Sequence, residues 1–196
     1  MWPRPLTSWL PLLPARLQAP EGPDGMACLL AELNTCDEER FLEICGPLYE
    51  HSPWVAKRAF ARRPFGSRAE LHAEFVAVVT GATSEEQLAL ICAHPDLVGR
   101  LAREGQLTAA STSEQASAGL DTLTSEEVAA FTRYLRAYRD RFGFPFVICA
   151  RENRKEAILA AFPVRLGQTL EQEQATALAE IGRIGWLRLL DAVCEP

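Results

Sequence analysis

The sequence predicts an all-α fold arranged as a single-domain helical bundle. Three observations support this: apolar residues recur at helical spacing, helix N-terminal capping signatures recur along the chain, and no alternating run is long enough for a sheet. The chain has 196 residues, of which 48% are hydrophobic and 23% charged, enough for one buried core. This composition excludes the disordered, collagen-like and coiled-coil classes.

The first predicted helices carry apolar residues on one face. Residues 37–49 show that face at Phe41, Ile44, Cys45 and Leu48. Pro53 begins the next predicted helix. Ser67 and Glu70 have the spacing of a capping box at the start of a further helix, which Gly81 ends.

Further capping boxes predict the starts of four more helices, at Ser84 with Gln87, Thr112 with Gln115, Thr124 with Glu127, and Thr169 with Gln172. Asn153 is predicted to start a helix that carries Ile158 and Phe162. The apolar run 144–149 follows Gly143 and is too short for a helix, so it predicts an extended connector.

The first 25 residues differ from the rest of the chain. Six prolines interrupt any helix there, at positions 3, 5, 11, 14, 20 and 23. We expect residues 1–25 to be a mobile extension and residues 26–196 to form the helical domain. A secretory signal is the alternative, but the apolar run 9–14 is short, broken by proline and followed by no convincing cleavage pattern.

Charge and cysteine usage limit the classes of partner. The net charge is −6 without a basic run, which argues against binding of nucleic acid or anionic membranes, and no apolar stretch is long enough to span a bilayer. The six cysteines form no CxxC or Cys/His cluster, so we expect no metal site and a reducing, cytoplasmic location.

Of the three histidines, His94 has the most informative context. His51 and His72 are interpreted as surface or structural residues. His94 precedes Pro95, which suits the first turn of a helix, so His94 is expected at a helix N-terminus beside free N–H groups. Two interpretations remain open: a capping residue or part of an anion-binding site.

Two further positions admit a structural or a functional interpretation. Glu114 and Gln115 are expected in the first turn of a helix, where they either cap it or line the rim of a pocket. Arg188 follows Ile181 and Ile184 on the buried stripe of the last helix. A guanidinium there needs a partner, either a protein carboxylate or an anionic ligand.

Several blocks, in this order, resemble the OHCU decarboxylases, which act on 2-oxo-4-hydroxy-4-carboxy-5-ureidoimidazoline in urate breakdown. The resemblance covers about residues 29–193 and is specific because the blocks occur together. They are residues 33–34, 45–46, 52–56, 63–65, 93–97, 107–120, 138–151, 180–181 and 187–189.

The resemblance implies the family's helical fold, no cofactor or metal, and production of (S)-allantoin and carbon dioxide. It places the acid/base histidine at His94 and its partner carboxylate at Glu114. The implied substrate contacts are Pro95, Ser111, Gln115, Phe146, Val147 and Arg188. The implied partners are the small-molecule substrate and product, with a homodimer as the family's assembly.

Two other functions remain open at this point. One is a related enzyme of purine-ring breakdown that acts on another ureidoimidazoline or a hydantoin. Turnover of freshly made 2-oxo-4-hydroxy-4-carboxy-5-ureidoimidazoline would distinguish an OHCU decarboxylase from such an enzyme. The other is a helical binding module without activity, against which the presence of His94, Glu114, Gln115 and Arg188 argues.

Overall fold

The computed structural model describes residues 27–97 and 109–195. This part of the chain contains nine α-helices. They are α1 (Leu30–Thr35), α2 (Glu38–Cys45), α3 (Trp54–Phe60), α4 (Arg68–Thr80), α5 (Ser84–Ala93), α6 (Ala109–Ser117), α7 (Ser125–Phe142), α8 (Lys155–Leu166) and α9 (Leu170–Ala192). Short 3-10 turns span Gly46–Leu48 and Ala150–Glu152. The extension predicted at residues 1–25 lies outside the described residues, so that boundary stays a prediction.

The all-α prediction is confirmed, and α9 organises the bundle. This helix of 23 residues packs against α2, α4 and α5, while α3 packs against α2 and α4, and α7 packs against α8. Two short strands, β1 (Cys28–Leu29) and β2 (Val193–Cys194), pair in parallel and hold the two ends of the described chain together. The sequence did not predict this pair because two residues are too few for an alternating pattern.

Three predicted helix starts are confirmed by their caps. Thr124 with Glu127 and Thr169 with Gln172 form capping boxes, and the Ser67 hydroxyl accepts a hydrogen bond from the Glu70 N–H. These side chains accept from N–H groups that would otherwise lack a partner in the first turn. Gly81 is the C-terminal cap of α4, as predicted.

Three predicted helix starts are wrong. The box at the start of α5 is formed by Thr83 with Glu86, one residue before the predicted pair Ser84 and Gln87. Several hydroxyl and carboxylate residues are adjacent here, so the spacing alone does not show which pair forms the capping box. Thr112 lies inside α6 rather than at its start, and α8 begins at Lys155, two residues after Asn153.

The connector between α7 and the Ala150–Glu152 turn is extended, as predicted. Gly143 ends α7 at φ 80°, a left-handed conformation that glycine adopts without steric cost. The connector is nevertheless part of the core: Phe144, Phe146, Val147, Ile148 and Cys149 are all buried. An irregular segment therefore lies inside the bundle, where its backbone is available to a pocket.

Within residues 27–97 and 109–195, no single helix has the length and hydropathy needed to cross a membrane. Helices α4 and α5 meet the length and hydropathy criteria only when they are taken together, and the chain bends by 116° between them.

Candidate active site

One pocket brings together all eight residues that the sequence resemblance nominated. Apolar side chains therefore surround the polar groups of the pocket. The rest of the lining consists of Leu97, Ile148, Ala150 and Ile184. The eight are His94, Pro95, Ser111, Glu114, Gln115, Phe146, Val147 and Arg188. They come from the end of α5, from α6, from the connector after α7 and from α9, segments far apart in sequence.

His94 lies at the end of α5, not at the start of a helix. It is the C-terminal cap of α5, and its N–H donates to the Ile91 carbonyl. The expected helix N-terminus at His94 is therefore wrong, and Pro95 to Leu97 are not helical. The reason is that proline restricts the residue before it to extended conformations, here φ −74° and ψ 139°, which ends the preceding helix.

The His94 ring is fixed by one nitrogen and leaves the other for chemistry. Nδ1 lies 2.9 Å from the Leu90 carbonyl oxygen, which can only accept, so Nδ1 carries the proton and donates. Nε2 is buried and has no hydrogen-bond partner in the described part of the chain. The ring thus presents an unprotonated Nε2 to its surroundings when it is neutral.

The surroundings of His94 favour this neutral form. Burial lowers its pKa from 6.5 to about 4, and the hydrogen bond to Leu90 and the negative charge of Glu50 oppose that shift. The positive charge of Arg188 contributes to the lowering, and the value of about 4 is the net result. At neutral pH His94 is therefore a base rather than an imidazolium.

Arg188 and Glu114 form a two-pronged ion pair beside His94. Arg188 Nε lies 2.8 Å from Glu114 Oε1, and Arg188 Nη2 lies 2.8 Å from Glu114 Oε2. Glu114 stands in the second turn of α6, not in the first as predicted, because α6 begins at Ala109. The predicted partner of Glu114 was His94, but no hydrogen bond joins those two side chains in the described residues.

Glu50 is a site residue that the sequence analysis missed. Its side chain is 3% exposed, lies 3.0 Å from Arg188 Nη2 through Oε1, and accepts a hydrogen bond from the Ser111 hydroxyl. Arg188 Nη1 also donates to the Pro47 carbonyl at 3.4 Å. The signal in the sequence that could have identified Glu50 is its position directly after two apolar residues, Leu48 and Tyr49.

Burial alone would lower the pKa of Arg188. Its hydrogen bonds to Glu114 and Glu50 and the charges of both carboxylates raise that pKa above its usual value instead. The guanidinium is therefore a fixed positive charge, shared by two carboxylates.

Local backbone features place Glu50 against α9. Gly185 lets the Tyr49 ring approach α9 closely, since a Cβ there would stand 3.0 Å from Tyr49 Cζ. Gly185 precedes Arg188 by three residues, so both lie on the same side of α9. His51, next to Glu50, has φ 47°, a left-handed conformation that turns the chain away at this point.

The opposite wall of the pocket is formed by the connector after α7. Phe146 and Val147 are 1% and 4% exposed, so they supply a dry apolar face rather than a polar one. Pro95 and Gln115 line the same pocket from the ends of α5 and α6. Any substrate contacts at Phe146 and Val147 would therefore be made with this apolar wall.

The other two histidines fit their predicted structural interpretation. His72 is half-buried, its Nε2 lies 2.8 Å from the Gly182 carbonyl oxygen, and its ring packs on Trp186. His51 is exposed. In residues 27–97 and 109–195, no group of three or more His, Cys, Asp or Glu side chains is arranged to hold a metal ion.

The fold and the pocket define a class of protein: a helical domain with an acid–base site of one imidazole, one guanidinium and two carboxylates. Residues 34–190 match the model of the OHCU decarboxylase family. The chain belongs to the OHCU decarboxylase family.

Individual relatives support this membership over most of their length. The chain is 43% identical to the 2-oxo-4-hydroxy-4-carboxy-5-ureidoimidazoline decarboxylase of Haloferax volcanii over 83% of this chain and 94% of that protein. It is 38% identical to the protein of the same name from Amia calva over 85% of this chain and 95% of that protein. A crystal structure of (S)-allantoin synthase is similar with a TM-score of 0.67 and 30% identity, covering 84% of this chain and 54% of that one.

Proposed function

We propose that this protein is a carboxy-lyase that converts 2-oxo-4-hydroxy-4-carboxy-5-ureidoimidazoline to (S)-allantoin and carbon dioxide during urate degradation. The observation that carries the proposal is that His94, Glu114 and Arg188 meet an apolar wall in one pocket. Relatives that bear the decarboxylase name at 43% and 38% identity support it.

The substrate's own structure supplies the electron sink. It carries a hydroxyl and a carboxylate on one ring carbon beside an imine. When the bond to the carboxylate breaks, its electron pair moves into the ring and is accepted by the imine nitrogen, which takes up a proton from solvent to become an N–H group. What the protein must add is orientation, exclusion of water and proton transfer on one face. We therefore expect the reaction to need no metal or cofactor, and this stays a prediction.

His94 is the group that moves the proton. Its neutral Nε2 accepts the proton of the substrate hydroxyl, and the resulting imidazolium returns a proton to the ring carbon that becomes the stereocentre. Leu90 holds the ring through Nδ1, so the proton is delivered from one direction. Delivery from one side gives the S product, whereas the uncatalysed reaction gives both enantiomers.

Arg188 and Gln115 bind the planar carbonyl and ureido groups, with Ser111, Pro95, Phe146 and Val147 completing the cradle. Because Glu114 occupies two donors of Arg188, an arriving substrate competes with it for the same guanidinium. Displaced from Arg188, Glu114 becomes free to stabilise the imidazolium of His94. Glu50 keeps Arg188 paired during this exchange.

The experiment is to follow circular dichroism at the allantoin band while urate is oxidised, with and without the protein. The expected result is fast formation of a signal from one enantiomer. The His94→Gln variant is the matched control, because glutamine keeps a polar side chain but cannot exchange the proton. No change in rate or enantiomer on adding the protein would reject the proposal and favour a non-catalytic binding module or another ureidoimidazoline as substrate.

The proposal includes a cytoplasmic homodimer. All six cysteines of the chain lie in the described residues and are free thiols, which suits a reducing compartment. The dimer rests on the family resemblance alone. Cell fractionation tests the location, and native mass spectrometry tests the assembly; a monomeric mass would reject the dimer.

A further inference from the structure

A second buried polar cluster lies behind the Phe146–Val147 wall. Arg165 on α8 and Glu173 on α9 are 6% and 0% exposed, and Arg165 Nε lies 2.6 Å from Glu173 Oε1. The hydroxyl of Tyr138 on α7 donates to the same oxygen at 2.5 Å. Three helices therefore meet at one carboxylate. The burial of Tyr138 and the negative charge of Glu173 raise the pKa of that phenol, so Tyr138 remains a donor.

This cluster contacts the wall itself. Arg165 Nη1 donates to the Val147 carbonyl at 3.2 Å, and Arg165 Cζ lies 4.7 Å from the centre of the Phe146 ring. The Tyr138 ring meets Phe146 edge-on with centroids 5.1 Å apart. The guanidinium thus touches both residues that form the wall.

Peptide geometry transmits this contact to the next residue. The Val147 carbonyl and the Ile148 N–H belong to one planar trans peptide, so they point in opposite directions. Fixing the carbonyl toward Arg165 turns the Ile148 N–H to the other side of the connector. Ile148 lines the pocket, and the following N–H, that of Cys149, donates to Glu180 on α9 at 2.8 Å. The connector is therefore held at two successive peptide units.

Stability alone does not account for such a cluster. Burying an ion pair costs desolvation energy, and apolar side chains of similar volume are often equally stabilising or more so. A specific contact from the cluster to an irregular wall segment gives the ion pair a second role.

We propose that Arg165 is a positioning residue for the active site, which aims the Phe146–Ile148 backbone at the ligand from behind the wall. This rests on the proposed function for the identity of the ligand, allantoin. Glu173 and Tyr138 act through Arg165 by fixing the direction of its guanidinium.

The test compares Arg165→Lys with Arg63→Lys, a matched control. Arg63 makes the same kinds of contact elsewhere: it donates to the Leu33 and Cys36 carbonyls at 3.1 and 2.7 Å and stands over the Phe60 ring. Arg165→Lys should weaken allantoin binding about tenfold, the equivalent of one lost hydrogen bond to a charged group. It should raise KM more than it lowers kcat, whereas Arg63→Lys should leave both near the parent values.

An apolar triple variant separates positioning from stability. Arg165→Met with Glu173→Leu and Tyr138→Phe removes every polar group of the cluster and should keep a melting temperature near the parent value. Its affinity for allantoin should still fall about tenfold. Parent-like affinity in this folded variant would overturn the proposal.

Amide hydrogen exchange provides a readout that needs no ligand. Residues 146–149 should exchange faster in Arg165→Lys and in the triple variant than in the parent or in Arg63→Lys. Unchanged exchange at these amides would reject the positioning role even if the parent is an active decarboxylase. An inactive parent in which Arg165→Lys loosens residues 146–149 would reject the proposed function and keep the positioning role.

Discussion

Residues 27–97 and 109–195 contain two buried arginine–carboxylate clusters that differ in one respect. Arg188 and Arg165 are 7% and 6% exposed, and each is paired within 3.0 Å to a buried carboxylate. In the described part of the chain, Arg165 has one carboxylate partner, Glu173, which is fully buried. Arg188 has two, the buried Glu50 and the pocket-lining Glu114.

This difference separates an ion pair with a fixed partner from one that can exchange partners. Removing the only carboxylate of a buried arginine leaves an uncompensated charge, which is strongly destabilising. An arginine with two carboxylates can give one up to an entering ligand and stay paired. The surplus carboxylate therefore marks the cluster that faces the chemistry.

The largest expected effect is on catalysis and belongs to the pocket side. His94→Gln should lower kcat by ~10²–10⁴-fold, the usual cost of losing a general acid/base. Steady-state kinetics with fresh substrate, together with a melting curve close to that of the parent, would establish this. Stereospecific turnover at the parent rate in His94→Gln would contradict the proposed proton transfer.

The next effect is on stability and should separate the two clusters directly. Glu173→Gln leaves Arg165 without a charged partner and should lower the free energy of unfolding by about 3–5 kcal/mol. Glu50→Gln should cost less, because Arg188 keeps Glu114. Urea unfolding of both variants at pH 7 measures the two values. Equal losses would show that Glu114 does not compensate for Glu50 and would remove the distinction between the clusters.

A smaller effect is expected on ligand affinity. Arg188→Lys keeps the charge but loses the planar fork, and should weaken allantoin binding about ten- to hundredfold. Isothermal titration calorimetry measures the affinity. Arg183→Lys is the control, since Arg183 lies on the same helix, is 48% exposed and pairs with Glu180. Parent-like affinity in Arg188→Lys would leave Arg188 with a structural role only.

The smallest effect concerns pH. Because the proposed proton transfer needs neutral His94, kcat/KM should be flat above the His94 pKa of about 4 and fall below it. Glu50 raises that pKa by its negative charge, so Glu50→Gln should move the acid limb to lower pH. Other charged or titratable groups near His94 are Glu114 and Arg188 in the pocket and His51 beside Glu50.

Glu173→Gln should leave the acid limb where it is, because Glu173 lies behind the wall. The pH–rate profiles of the parent, Glu50→Gln and Glu173→Gln give the position of the acid limb in each protein. An acid limb that moves equally in both variants would mean that Glu50 has no direct electrostatic effect on His94.

The sequence by itself determined much of this protein. Helical periodicity and local capping rules placed most helices, since both depend on residues only three or four apart. The ordered blocks also nominated eight of the twelve residues that line the pocket. Local rules failed where neighbouring signals competed, as at Ser84 and at the His94–Pro95 step.

Only the tertiary structure decided how the charged groups are paired. Glu114 was expected to pair with His94 and instead pairs with Arg188, which lies 74 residues away in sequence. The contacts of Glu50 with Arg188 and of Arg165 with Val147 became visible only when the helices were packed together. The physical reason is that the partner of a buried charge depends on which groups share its low-dielectric surroundings, and sequence spacing does not record those distances.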